Sequence, residues 1–282
     1  MKQLFITDLD HTFLHSNQTI TPFSRKVWNS KSKEHYISIA TARSLKKTEE
    51  FFRGMNLNAP LILLDGAMII TPEQKLIELK TLNKSIVDAV IYEGKQFNIE
   101  PFIIALNDYQ RLNESFFIPP LLNYYQSTLI KKSYSKDPRL SFCKKIEGID
   151  NTLKIVYMGE ESTLRPLSKH IKKIFKDELE IKLAPEKYMG CYFLTILHPL
   201  ADKAHALKKV SGYLDIPLKD ITVFGDSIND IKMFKIAGTS VAVNNALDEV
   251  KKEASIILPH SNDEDGVAHY INKSTKFDNP YL

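Results

Sequence analysis

The sequence predicts a doubly wound α/β fold, a parallel sheet with helices on both faces, interrupted by a second and smaller α/β domain. Three observations lead there. Five short apolar runs, each rich in β-branched or aromatic residues, alternate with helical stretches. Small polar or acidic residues follow every one of those runs. Between about Asn83 and Tyr188 both regularities lapse, and mixed strand and helix patterns replace them.

The five runs are "LFIT" (4–7), "YISIA" (36–40), "LILL" (61–64), "ITVF" (221–224) and "TSVAV" (239–243). They show little period-2 alternation, as expected of strands covered on both faces. "TPFSRKVWNSKSKE" (21–34) reads as a helix with a Thr cap and Pro at its first position, and "SLKKTEEFFRGM" (44–55) as one with a Ser start and a Gly near its end. "SINDIKMFKIAG" (227–238) repeats that pattern, and "MIITPEQKLIELKTL" (68–82) reads as a hairpin turning at Thr-Pro-Glu. The middle of the chain offers helices at 84–96 and 163–176, and strands at 101–106, 153–158, 180–185 and 191–197. On this reading residues 1–82 and 191–282 build a Rossmann-like core, and residues 83–190 an inserted α/β domain.

A chain of 282 residues has ample material for two domains, and with 43% apolar and 26% charged residues it reads as soluble and globular. A formal charge of +4, with mixed-sign stretches such as "KKIFKDELEIK" (172–182), describes solvated faces and gives no reason to expect a nucleic-acid partner. No apolar stretch approaches membrane-spanning length, and Asp8 comes too early for a signal peptide. Cys143 and Cys191 lie far apart and form no CxxC, so a reducing compartment, the cytoplasm, is expected.

In open α/β sheets ligands sit beyond the carboxyl ends of the strands. The residues that follow the five runs are Asp8 and Asp10; Thr41 and Arg43; Asp65 and Gly66; Gly225, Asp226, Asn229 and Asp230; and Asn244 with Asn245. Turns explain any one of these sets but not all five. A carboxylate cluster needs a cation, and a few oxygen ligands with room for water favour Mg²⁺. "DLDHT" opens like a calcium loop but lacks its Gly and later Glu, and a strand precedes it. Mg²⁺ beside free backbone N–H groups and the Thr41 hydroxyl outlines a phosphate site. Lys203, in "ADKAHAL" (201–207), supplies a positive side chain. Asp8 can act as a nucleophile, and Asp10 can protonate a leaving oxygen and later deprotonate water. Arg43 stands open between a phosphate contact and a structural salt bridge. The histidines show no metal-site spacing, and His11, His198 and His205 read as packing or surface residues.

"DLDHT", "ATAR", "DK" and "GDSIND" resemble, in order, the four motifs of the haloacid dehalogenase superfamily. The resemblance covers the whole chain. "VAVNNALDEVKKEA" (241–254), "NDEDGVAHYI" (262–271) and the large insertion between the second and third motifs are similar to the Cof-type subfamily. The resemblance implies a Mg²⁺-dependent phosphatase acting through an aspartyl-phosphate on a small phosphorylated metabolite, such as a sugar phosphate or phosphorylated cofactor. It makes Asp8 the nucleophile and a metal ligand, and Asp10 the acid/base with its backbone carbonyl on the metal. Thr41 and Lys203 would hold phosphoryl oxygens, with Arg43 and Asn229 as further phosphate-side candidates. Asp226 would be the third metal ligand, while Asp230 and Asn229 orient metal waters or Lys203. Family members usually carry Gly at the positions of His11 and Ala42, and Asn is common at that of Asp65. A phosphomutase keeps both aspartates and is the alternative reading; a non-catalytic binding protein is a third, although no acid is lost. Ion pumps and dehalogenases lack an acid at the position of Asp10. A monomer or small homo-oligomer is expected.

The inserted domain is expected to act as a cap that excludes water and selects the substrate, hinged near residues 82 and 190. Substitutions within "APEKYMGCYF" (184–193) should therefore re-rank metabolite substrates while leaving hydrolysis of a small aryl phosphate nearly unchanged. Comparing kcat/KM for the best metabolite and for the aryl phosphate in each variant checks this, and parallel losses on both would refute it.

Overall fold

The computed structural model describes residues 2–108 and 112–273. Its first segment runs through β1 (Leu4–Thr7), α1 (Pro22–Lys31), β2 (Tyr36–Ile39), α2 (Leu45–Phe52), β3 (Leu61–Leu63), β4 (Met68–Ile70) and β5 (Leu76–Leu79). There follow α3 (Lys84–Gln96), β6 (Phe102–Asp108), β7 (Asn113–Ile118), α4 (Tyr124–Leu129), β8 (Leu140–Phe142), β9 (Thr152–Gly159), α5 (Glu161–Phe175), β10 (Glu180–Glu186) and β11 (Cys191–Leu197). The last segment holds α6 (Lys203–Leu214), β12 (Ile221–Gly225), α7 (Ile231–Phe234), β13 (Thr239–Ala242), α8 (Asp248–Glu253), β14 (Ile256–Ile257) and α9 (Gly266–Lys273).

Helix starts follow capping chemistry. Thr21 Oγ1 accepts the Ser24 N–H at 3.0 Å with Pro22 at the first helical position, where a missing N–H costs nothing. Asn83 caps α3 through the Ile86 N–H at 3.0 Å, and Asp202 caps α6 through the Ala204 and His205 N–H groups at 2.8 and 2.9 Å.

The chain divides into two compact units. Lys80–Ala201 forms one, and the described residues up to Leu79 and from Asp202 form the other. The two-part unit contains a parallel sheet in the order β14-β13-β12-β1-β2. Every residue of β1 and β12 is buried, as continuous apolar runs require. Here β1 lies between β12 and β2, so the chain order reverses beside it. Such a switch point is where an open α/β sheet leaves a crevice. Phe13, Trp28 and Phe52 pack together on this unit, with Trp28 5.1 Å from each of the other two rings, and Trp28 Nε1 donates to the Asn56 carbonyl at 2.8 Å.

The third apolar run departs from the expected parallel strand. As β3 it pairs antiparallel with β4, which pairs antiparallel with β5, and it meets the parallel sheet through a single-residue parallel bridge, Ala40–Ile62. One edge of β3 pairs with the hairpin that follows it directly in sequence, while on the other edge the Ile62 carbonyl accepts the Thr41 N–H at 2.9 Å in a parallel bridge. The helix expected at 227–238 is a short turn at 228–230 followed by the single turn of α7.

The inserted unit is built on a six-stranded sheet in the order β10-β11-β9-β6-β7-β8. One face carries Ile103, Ile155, Tyr157, Leu194 and Ile196, packed with Val87, Val90 and Ile91 of α3 and Leu164, Leu167 and Ile171 of α5. The second crossing between units comes later than the sequence reading placed it. Residues 191–197 were expected in the core, yet as β11 they lie between β10 and β9, in register from Ile181–Ile196 to Leu194–Tyr157. An apolar run does not name its partner strand, and here the hairpin with β10 decides it. The observed crossings, after Leu79 and after Ala201, replace the expected ones near 82 and 190.

A fragment spanning 80–201 should accordingly unfold cooperatively in urea, whereas 83–190 should not. The shorter fragment loses Leu194 and Ile196 from its core, and each large aliphatic removed costs about 2–5 kcal/mol. Equal cooperativity of the two fragments, followed by circular dichroism, would contradict the boundary.

Candidate active site

The site forms where β1 and β12 end side by side. Asp8 follows β1 and its N–H donates to the Phe224 carbonyl of β12 at 3.0 Å, so the nucleophile candidate is tied to the neighbouring strand. Asp226 follows β12 directly. Four residues on, Asp230 folds back, and one of its oxygens accepts the Asp226 and Ser227 N–H groups, each at 3.1 Å. Gly225 makes this possible, because a Cβ there would sit 2.5 Å from the Asp230 carboxyl carbon.

Lys203 joins the two strand ends. It is the first residue of α6, fully buried, and its Nζ donates to Asp8 Oδ1 at 2.6 Å and to Asp230 Oδ1 at 2.7 Å. Asp8, Asp226 and Asp230 each offer a carboxylate oxygen, all within 4.8 Å of one another, and each residue is at most 5% exposed. Burial pushes the Asp8 carboxyl well above its usual range; Lys203 opposes the rise and Asp230 and Asp226 add to it. Burial alone would lower the Lys203 ammonium, but the Asp230 and Asp8 carboxylates outweigh it and hold the lysine charged.

Three acids against one ammonium leave a charge of about minus two when all are ionised, in a setting where water is largely excluded. A hard divalent cation with oxygen ligands answers both the charge and the donor type, so the residues fit Mg²⁺. The three carboxylates brought together are Asp8, Asp226 and Asp230. The Asp10 side chain is engaged elsewhere: Arg43 Nε and Nη2 donate to its two oxygens at 2.8 and 2.5 Å. Of the two readings open for Arg43, a phosphate contact and a structural salt bridge, the structure shows the salt bridge, and its partner is the acid/base candidate.

Thr41 is fully buried after β2, and its hydroxyl accepts the Arg43 N–H at 3.1 Å. Asn229 accepts from the Ser227 hydroxyl in the same turn as Asp230, and its side chain is held there. Beside Thr41 the backbone is strained. Leu64, Asp65 and Gly66 have φ of 51°, 62° and 102°, a left-handed run that only glycine adopts at no cost. Within it the Leu64 N–H donates to the Arg43 carbonyl at 3.0 Å and the Asp65 N–H to the Thr41 carbonyl at 2.9 Å. A Cβ on Gly66 would lie 2.5 Å from the Asp202 carbonyl oxygen, so the run also packs against the residue that caps α6. Asp and Asn tolerate this backbone better than other residues, which accounts for the residue type at Asp65. His11, at φ 57°, occupies another left-handed position, where glycine would be unstrained.

Sequence reasoning missed Thr12, whose hydroxyl donates to Asp226 Oδ1 at 3.1 Å. The last residue of "DLDHT" is its only signal. Asn245, noted after the fifth run, donates to the His11 carbonyl at 2.8 Å and fixes the loop that carries Asp10.

Residues 5–271 match the family model of haloacid dehalogenase-like hydrolases. The chain belongs to that family. It is a hydrolytic enzyme whose curated relatives include phosphatases. Two relatives from Bacillus subtilis (strain 168) are named 5-amino-6-(5-phospho-D-ribitylamino)uracil phosphatases. One is 28% identical over 273 residues, covering 95% of this chain and 94% of the relative, and the other 22% identical over 274 residues, covering 96% of each. Among solved structures, a Streptococcus mutans protein superposes with a TM-score of 0.81 at 20% identity, over 96% of this chain and 98% of that one. A haloacid dehalogenase-like hydrolase from Bacteroides thetaiotaomicron gives 0.78 at 20% identity, over 97% and 99%. At these identities the structures establish a common fold. Among the described residues no helix is long and apolar enough to cross a membrane.

Lys203→Met keeps most of the side-chain volume but leaves two buried carboxylates without their cation. The unfolding free energy in EDTA should drop by about 3–5 kcal/mol. Lys209→Met, which removes a half-exposed lysine of the same helix α6, 3.2 Å from Glu78 of β5, should cost under about 1 kcal/mol. Urea denaturation of both variants measures the difference; similar losses would mean that Lys203 is not the electrostatic centre of the site.

Proposed function

We propose that this enzyme is a Mg²⁺-dependent phosphatase that hydrolyses small phosphorylated metabolites, sugar phosphates or phosphorylated cofactors, through a phosphoryl group carried on Asp8. The observation that carries the reading is the buried Lys203 ammonium shared by Asp8 and Asp230, with Asp226 alongside. The family membership and the phosphatase relatives support the same chemistry, and the two relatives named for a phosphoribitylamino substrate point toward phosphate esters of sugars and sugar alcohols. Selectivity among them is assigned to the inserted unit, and a cytoplasmic monomer or small homo-oligomer suffices for the reaction.

Asp8, Asp226 and the Asp10 backbone carbonyl would hold Mg²⁺, with Asp230 behind them. When bound, the ion supplies positive charge that draws a phosphoryl oxygen into line and stabilises charge building up in the transition state. The protein residues do the rest. One Asp8 oxygen attacks phosphorus as the ester P–O bond breaks, and Asp10 gives its proton to the departing oxygen. Lys203 orients Asp8 and offers its charge to the phosphoryl oxygens, while the Thr41 hydroxyl donates to one of them. Asp10, now a carboxylate, takes a proton from water. That water oxygen attacks phosphorus, the Asp8–phosphorus bond breaks, and inorganic phosphate leaves with Asp8 and Asp10 restored.

Hydrolysis of p-nitrophenyl phosphate by the purified enzyme should need Mg²⁺, stop with EDTA and be inhibited by excess Ca²⁺, whose larger coordination sphere misplaces the attacking carboxylate. Asp8→Asn should lower kcat by at least about a thousandfold while leaving the circular dichroism spectrum unchanged. Full activity after metal removal would overturn the Mg²⁺ assignment, and near-normal turnover of Asp8→Asn would overturn the covalent route.

A further inference from the structure

Asp10 stands on irregular backbone between Asp8 and the left-handed His11, and its side chain is 30% exposed. A short carboxylate on such a loop has several staggered positions open to it. Arg43 removes that freedom, since its Nε and Nη2 each bond a different Asp10 oxygen and two parallel bonds fix the plane of the carboxylate as well as its place. An arginine side chain is itself long and flexible, so it must be held to act as a gauge.

Two residues hold the guanidinium. The Phe51 ring lies under it, with the central carbon 4.8 Å from the ring centroid. Gln18 Oε1 accepts from Nη2 at 3.1 Å, from the atom that also reaches Asp10 Oδ1. The turn that presents Gln18 is tight. The Gln18 N–H donates to the His15 carbonyl at 2.8 Å, the His15 N–H donates to the Thr19 carbonyl at 3.0 Å, and Gln18 sits at φ 61°. That backbone favours glycine or asparagine, so glutamine carries a conformational cost there. At the other end of the arginine, its N–H and carbonyl are tied to Thr41 Oγ1 and Leu64 N.

We infer that Gln18 and Phe51 are positioning residues for phosphoryl transfer: they clamp Arg43, and through it fix the direction from which Asp10 passes a proton to the leaving-group oxygen. The inference rests on the reading of Asp10 as the acid/base given above. Neither residue needs to touch substrate. Their removal releases the guanidinium and lets the Asp10 carboxylate swing, and small misplacements of a reacting group are costly.

Leaving-group dependence separates this role from a merely structural one. Phenyl phosphate and p-nitrophenyl phosphate have nearly the same shape, but phenolate, with a conjugate acid pKa of about 10 as in tyrosine, needs protonation far more than p-nitrophenolate. The ratio of kcat/KM for phenyl phosphate to that for p-nitrophenyl phosphate should fall about tenfold in Gln18→Ala and in Phe51→Ala, a fraction of the hundredfold or more that a general acid supplies. Phe51→Tyr, which keeps the ring, should hold the ratio within about twofold of the parent. Gln18 is exposed on a turn, so its alanine variant tests the inference even if Phe51→Ala folds poorly. An unchanged ratio in Gln18→Ala, through parallel losses or no loss, overturns the clamp. Asp10→Asn measured alongside tells the two levels apart. If it lowers the ratio and Gln18→Ala does not, the clamp alone is wrong; if Asp10→Asn leaves the ratio unchanged, the acid/base reading falls and the clamp with it.

Discussion

A lysine ammonium with no access to water, 2.6 and 2.7 Å from two carboxylates, is the arrangement on which the rest of this enzyme depends. An isolated charge could not be buried so deeply, and neither could the acids without it. The surrounding backbone is arranged to supply this group of charges. Asp230 spends its second oxygen on two N–H groups, Gly225 gives up a side chain so that Asp230 can approach, and Asp202 caps the helix that begins with Lys203. The excess negative charge that remains, on oxygen donors alone, fits a divalent cation.

Around that centre the loops are held to one another as well as to the sheet. The left-handed run at Leu64–Gly66 holds the backbone of Thr41 and Arg43 on one side and packs against Asp202 on the other. Asn245 holds the His11 carbonyl, and Thr12 reaches Asp226. Strained residues in such positions persist only where neighbours over-determine them, and they gather here where side chains from several strand ends must keep fixed distances.

Much of this was legible in the sequence because of how a parallel sheet is covered. Strands buried on both faces leave unbroken apolar runs, and the candidate residues Asp8, Thr41 and Asp226 follow theirs within two positions. Lys203 was legible as a cation preceding a helix and as the lysine of "DK", but nothing local says it is buried. Two things were hidden for a common reason: they are pairings between distant segments. "CYFLTIL" has the composition of a core strand, and only its partners β9 and β10 assign it to the inserted unit. Arg43 follows the second run as a phosphate ligand would, and only the folded chain brings it to Asp10, 33 residues earlier. The left-handed turn at Gln18 gave no signal either, because glutamine is not a residue that marks such turns.

The interruption of the parallel sheet also dictates an order of assembly. Asp8 and Lys203 are 195 residues apart in sequence and Thr12 and Asp226 are 214 apart, so the centre of the site consists of contacts of very high sequence separation. On the ribosome β1 and β2 emerge early, but β12, which lies between β1 and β13, is not yet made. The segment Lys80–Ala201 carries its own sheet and apolar core and has all its strands before residue 203 is synthesised. The inserted unit can therefore fold first, while the amino-terminal strands wait with an open edge for the last third of the chain. Contacts closed over so long a loop are slow to form, and the waiting edge is the stage at which the nascent chain most needs protection from aggregation.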